Sequence, residues 1–190
     1  PVGKWIIQNA FSMCTECRKY YPEFRVSINL SYVQILKSPL MMELKQMIEC
    51  SGISCSGIIV ELTESGYLEG TPAVRSVWND MKQLRIQIAL DDFGTGYSNL
   101  MNISNLEPDI VKLDRGFTLK ALSRSYEYQL MQYVIEMVHK LNQYVCVEGV
   151  ETKEDLEKIK ALGPDLIQGY YYSKPCSRDE FLKKFFGHSE

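Results

Sequence analysis

Short apolar runs rich in Val and Ile recur along this chain, and longer amphipathic stretches separate them. The runs cover 24–30, 57–62, 86–90, 109–113, 144–147 and 165–170. Each is continuous rather than alternating and too short for a helix, which predicts strands buried on both faces. The stretches between them carry helix punctuation. A first helix is predicted over 1–20. Ser38 and Pro39 read as N-cap and first helical residue, with Gly52 as the stop. Thr71 and Pro72 repeat that start, and Val74, Val77, Trp78, Met81 and Leu84 follow on one helical face. Leu130, Val134, Met137, Val138 and Leu141 supply the corresponding face of a later helix. Thr152 with Asp155, and Ser177 with Glu180, have the spacing of capping boxes, and Gly163 closes the helix that Thr152 opens. The Met, Trp and Phe stripes read as core packing. Strand and helix alternating over the whole length imply a parallel sheet with right-handed crossovers. A closed barrel and an open doubly wound sheet both satisfy that pattern.

Composition narrows the function classes. The chain has 190 residues, 45% hydrophobic and 24% charged, which suits a single domain over 1–190 with a sizeable core. A net charge of -3 provides no basic field for long nucleic acid, though a small phosphate ester held through metals is compatible with it. No apolar run reaches membrane-spanning length and no signal peptide is visible, so the expectation is a cytoplasmic segment without membrane contact. Of the cysteines, Cys14 and Cys17 form a C-x-x-C, but no second pair with ligand spacing follows. They read as reduced thiols on one helix. His139 and His188 lie far apart and form no catalytic pair. No glycine-rich phosphate loop of the dinucleotide or Walker type is present.

The chemistry gathers where the strands stop being apolar. Asn29, Glu61 with Glu64, Asp91 with Asp92, Lys112 with Asp114, Glu148 with Glu151, and Gln168 stand in or just after successive apolar runs. Any one of them alone would usually face solvent or make a structural ion pair. Collected at strand ends, they would converge on the mouth of a barrel, where active sites sit. Adjacent carboxylates such as Asp91 and Asp92 are costly near a core unless a cation neutralises them. Oxygen donors without Cys or His favour Mg²⁺, Mn²⁺ or Ca²⁺. A lysine among them can orient a water, help deprotonate it, or offset developing charge. That set serves metal-assisted phosphodiester hydrolysis, and it is close to the set of an enolising barrel enzyme.

The segments VSINLS (26–31), ELTES (61–65), DDFGTGYSNL (91–100), VKLDRGF (111–117), VEGVET (147–152) and QGYYYSKP (168–175) occur in an order that resembles the EAL domain of bacterial cyclic di-GMP phosphodiesterases. The resemblance implies a (β/α)8 TIM-barrel-like fold and conversion of cyclic di-GMP to linear pGpG. It implies Asn29, Glu61, Asp91 and Asp92 as ligands of Mg²⁺ or Mn²⁺, two ions with Asp91 bridging. Lys112 then touches the nucleophilic water. Glu148 is the general base or a carboxylate beside the second metal. Gln168 lines the mouth, and Glu64 braces the loop over 93–98. The implied reaction is in-line attack on one phosphodiester. Asp114, Glu151 and Tyr170–Tyr172 are weighted toward structural roles. The Glu-Ala-Leu motif itself is absent, and six strands stand where the barrel has eight, so the expectation is an N-terminally truncated EAL domain lacking its first two strands. Unpaired edges would favour a homodimer. The alternative expectation is an inactive cyclic di-GMP-binding or dimerisation module.

Overall fold

All six apolar runs form strands, in the sheet order β1-β2-β3-β4-β5-β6. They are β1 (Val26–Asn29), β2 (Ile58–Thr63), β3 (Gln87–Phe93), β4 (Ile110–Leu113), β5 (Tyr144–Val147) and β6 (Leu166–Ile167). The pairs β1–β2, β3–β4, β4–β5 and β5–β6 are parallel. The structure, a computed structural model, describes residues 2–31, 34, 40–63, 72–95, 103 and 106–187. Among these the helices are α1 (Val2–Cys17), α2 (Leu40–Ser51), α3 (Pro72–Gln83), α4 (Arg115–Ser123), α5 (Ser125–Lys140), α6 (Lys153–Lys160) and α7 (Arg178–Phe186). None is long and apolar enough to cross a membrane. Ser38, Pro39 and Thr71 lie outside the described residues.

Local chemistry sets several boundaries as the sequence predicts. Both capping boxes form: Thr152 and Asp155 exchange bonds at the start of α6, and Ser177 and Glu180 do so at the start of α7. Gly52 follows α2 with φ 66°, the left-handed position that glycine occupies without a Cβ clash. Three expectations are corrected. The first helix ends at Cys17 rather than at 20. The last strand shrinks to two residues. There, a Cβ on Gly169 would lie 2.0 Å from the Val150 carbonyl oxygen, and this close backbone approach takes the chain into a turn. In α5 the packed stripe is Met131, Ile135 and Val138, whereas Leu130 (43% exposed) and Leu141 (50%) face outward. Two apolar series interleave on that helix, so periodicity alone cannot choose between them.

The chain divides into two compact units. One comprises 1–61, 69–88 and 175–190. Its buried side chains include Ile7, Phe11, Cys14 and Cys17 of α1, Leu44 and Met47 of α2, and Val74, Trp78 and Met81 of α3. Phe24 packs edge-on against Phe181 and Phe186, which ties α7 to the entry of β1. The other unit comprises 62–68 and 89–174. Leu90, Val111, Leu113, Val145 and Val147 are fully buried there, with Met131, Ile135 and Val138 of α5 and Ile159 of α6. Side chains of this size, fully buried, each stabilise by roughly 1.5–3 kcal/mol.

Candidate active site at the carboxyl ends of the strands

In the second unit the register of three strands brings the predicted groups together. Lys112 pairs with Cys146 and Leu113 with Val147, so β4 and β5 end level. The Glu148 amide then donates to the Leu113 carbonyl (3.1 Å). On the other side of β4, Leu90 pairs with Val111 but Phe93 pairs with Leu113. Three steps along β3 therefore match two along β4, which is a β-bulge. Asp91 and Asp92 both stand opposite Lys112. Asp92 absorbs the extra residue at φ 61°, an uncommon conformation for a non-glycine residue. β3 itself runs on through both acids to Phe93, beyond the predicted end at Leu90.

Lys112 is the centre of this arrangement. Its side chain is 5% exposed, and its ammonium lies 2.7 Å from Glu148 Oε1 and 3.1 Å from Asp91 Oδ1. Asp91 Oδ1 also accepts from the Asp92 amide (3.0 Å). The Asp92 carboxyl is held above the usual carboxylate range. Burial contributes most, the Asp91 and Asp114 carboxylates add to it, and Lys112 opposes it. A buried ammonium between two carboxylates is tolerable because each charge is paired.

A second tie lies just outside these residues. Asp114 is the N-cap of α4, accepting from the Gly116 amide (2.7 Å). Its neighbour Arg115 donates from Nε (3.2 Å) and Nη2 (2.7 Å) to Glu151 Oε1, which joins the loops after β4 and β5. Gly149, at φ 78°, makes room for this pair: a Cβ there would lie 2.4 Å from Arg115 Cγ. Sequence reasoning assigned no role to Arg115 or Gly149. The available signal was the glycine placed between Glu148 and Glu151 in a run that otherwise reads as a strand and its acidic end.

The other predicted residues are placed by their own strands. In the first unit, Asn29 at the end of β1 is the register partner of Glu61, two residues before the end of β2. Glu61 is buried and Asn29 exposed. Gln168 is exposed and anchored by its backbone, its amide donating to the Val147 carbonyl (2.8 Å). Glu64 lies outside the described residues, as does the loop over 93–98 from residue 96 onward. Among the described residues no three His, Cys, Asp or Glu side chains stand close enough to hold a metal as they are. The donor chemistry nevertheless fits a hard divalent cation: all are oxygens, and the crowded Asp91–Asp92 pair carries charge that a cation would relieve.

Comparison with known proteins bears on this site. The family model for the EAL domain matches residues 1–175. The cyclic di-GMP phosphodiesterase PdeF of Escherichia coli is 30% identical over 92% of this chain, which spans 23% of that protein. The EAL enzyme Bd1971, solved with cAMP and cyclic di-GMP bound, superposes with a TM-score of 0.89 at 29% identity, covering 97% of this chain and 51% of that one. Klebsiella pneumoniae BlrP1, solved with manganese and cyclic di-GMP, shares the fold with a TM-score of 0.81 at 24% identity, over 93% of this chain and 45% of that one. The chain spans about a quarter of the length of the curated relatives it matches. Its parallel sheet with interleaved helices is of the (β/α)8-barrel type found in those structures.

Proposed function

The chain belongs to the EAL domain family, and on that footing we propose that it hydrolyses cyclic di-GMP to linear pGpG with the help of divalent metal, Mg²⁺ or Mn²⁺. The observation that carries the reading is the buried Lys112 ammonium, paired at once with Asp91 and Glu148. In this reading Asn29, Glu61, Asp91 and Asp92 are the metal ligands, Lys112 and Glu148 are catalytic, Gln168 lines the mouth, and Glu64 supports the loop after Asp92. A bound divalent cation supplies positive charge for the phosphodiester and makes water more acidic.

The chain's own residues do the rest. Asp91, Asp92 and Glu148 outnumber Lys112, so the site as it stands repels a phosphodiester anion and needs added positive charge to admit one. Lys112 fixes the orientation of both Asp91 and Glu148 through its two ion pairs. Glu148, facing that ammonium, takes the proton released as water adds to phosphorus. The forming P–O bond and the breaking ester P–O bond lie in line, and the departing ribose oxygen is reprotonated from solvent. The tie from Arg115 to Glu151 keeps the loops after β4 and β5 together around these groups. The same reading includes a homodimer, supported by the outward-facing Tyr126, Leu130 and Tyr133 on α5.

The test is chromatography of cyclic di-GMP incubated with the chain and Mn²⁺ or Mg²⁺, with EDTA as control. pGpG should form in the metal arms only. Substrate that stays intact in every arm would sink the reading. Binding by equilibrium dialysis without turnover would replace it with a receptor.

A further inference from the structure

A cavity of about 680 Å³ runs between α1 and α2, entirely within the first unit. Its α1 wall carries Lys4, Gln8, Phe11 and Ser12, and its α2 wall carries Glu43, Gln46 and Met47. Spacings of three and four residues put each set on one helical face, so the two faces meet across the opening. Neighbouring helices usually interdigitate along such faces. Here the faces are mostly polar, and one ion pair, Lys4 to Glu43 at 2.8 Å, joins them. The volume lies within the roughly 300–1,000 Å³ of ligand sites.

The order of groups along the groove selects what fits it. Lys4 and Glu43 pair in the first turns of the two helices. About one turn further in stand Gln8 and Gln46, both exposed, neither making a side-chain hydrogen bond among the described residues. Each carboxamide offers donors and an acceptor. Next come the buried Phe11 ring and Met47 thioether, an apolar floor. At the far end Glu16 is taken up by Arg178 of α7. Of the five charged residues lining the cavity, four are thus paired with one another. Lys19 is the fifth; it is exposed and has no ion pair among the described residues. Gln8 and Lys19 lie about 16 Å apart along the helix axis at 1.5 Å per residue, the length of about five residues of extended chain. We propose that this groove binds the carboxyl-terminal end of an extended peptide, with its backbone amides on Gln8 and Gln46, an apolar side chain over Phe11 and Met47, and its terminal carboxylate on Lys19. The proposal rests on neither the metal ligands nor the phosphodiesterase reading.

The experiment titrates the full 190-residue chain with acetyl-Ala-Ala-Leu-Ala-Ala as the free acid and, separately, as the carboxyl-terminal amide, which differs only in lacking the charge. Binding is followed by the side-chain amide resonances of Gln8 and Gln46. The acid should shift them saturably and bind about three- to fivefold more tightly than the amide, which is what an exposed ion pair supplies. Lys19→Met should bind acid and amide alike. Lys45→Met, which removes an exposed charge of α2 outside the cavity lining, should keep the preference. Should Lys19→Met not fold, the comparison of acid and amide on the unmodified chain decides alone. No saturable shift, equal binding of acid and amide to the parent, or a preference that survives Lys19→Met would each overturn the proposal.

Discussion

Replacing Lys112 by Met tests the centre of the site directly. The stem volume is nearly kept, so the change removes charge rather than packing. It leaves Asp91 and Glu148, with side chains 13% and 18% exposed, facing one another's field without the ammonium between them. Removing one partner of a buried ion pair costs about 3–5 kcal/mol. Both carboxylates keep some water, which places the expected cost at the lower end, about 3 kcal/mol. At a urea slope of about 2 kcal/mol per molar, the unfolding midpoint falls by about 1.5 M. Part of that loss is the stranded Glu148 charge. Glu148→Gln in the Lys112→Met background should therefore cost less than the two single changes summed, by a coupling of about 1–3 kcal/mol. A Lys112→Met stability within about 0.5 kcal/mol of the parent, or strict additivity in the double variant, would refute the picture of a desolvated lysine holding two carboxylates.

Three further outcomes follow from the same geometry. Asp91→Ala removes the acid that Lys112 grips, and on the proposed reading it abolishes metal-dependent pGpG formation; near-parental turnover by chromatography would contradict the assignment of Asp91. Gly149→Ala forces a Cβ into Arg115 at φ 78° and should cost roughly 2–4 kcal/mol, whereas Gly163→Ala, at φ 76° with open space around it, should cost roughly 1 kcal/mol; equal urea midpoints for the two variants would show that Arg115 does not need the glycine. Burial, aided by the Glu16 and Cys14 side chains, pushes the Cys17 thiol up to about 11 from its ordinary 9.0. Between those values the unfolded chain releases a proton that the folded chain keeps, so stability falls as pH rises from about 9 to about 11. Cys17→Ser should flatten that fall, and an unchanged slope would exclude the thiol as its cause.

Sequence carried far where the physics is local. Strand existence followed from short apolar runs, and the two capping boxes followed from side chains three residues apart. The ends of strands carrying Asp91, Lys112 and Glu148 were visible because charge interrupts apolar sequence there. What sequence could not supply was relative placement. The bulge depends on how β3 matches β4, and no spacing within 86–93 encodes that match. The exposed face of α5 escaped for a similar reason: Leu130 and Met131 are both apolar, and only packing decides which is buried. The tie from Arg115 to Glu151 links residues 36 apart, and it exists only once β4 and β5 lie side by side.

Most of the second unit is a single run of chain, 89–174, and that bears on the order of assembly. Asp91, Lys112 and Glu148 all lie in one uninterrupted stretch, 89–174, and successive strands there pair in sequence order. Contacts of that kind close short loops and form early. The first unit instead draws on 1–61, 69–88 and 175–190, and its Phe24 cluster needs Phe181 and Phe186 from the far end of the chain. On a ribosome, the ion-pair centre can therefore form once β5 has emerged, while the unit that holds Asn29 and Glu61 waits for the last helix. Shortening the chain ahead of α7 should thus leave the Lys112 centre formed and the Asn29–Glu61 half unfinished.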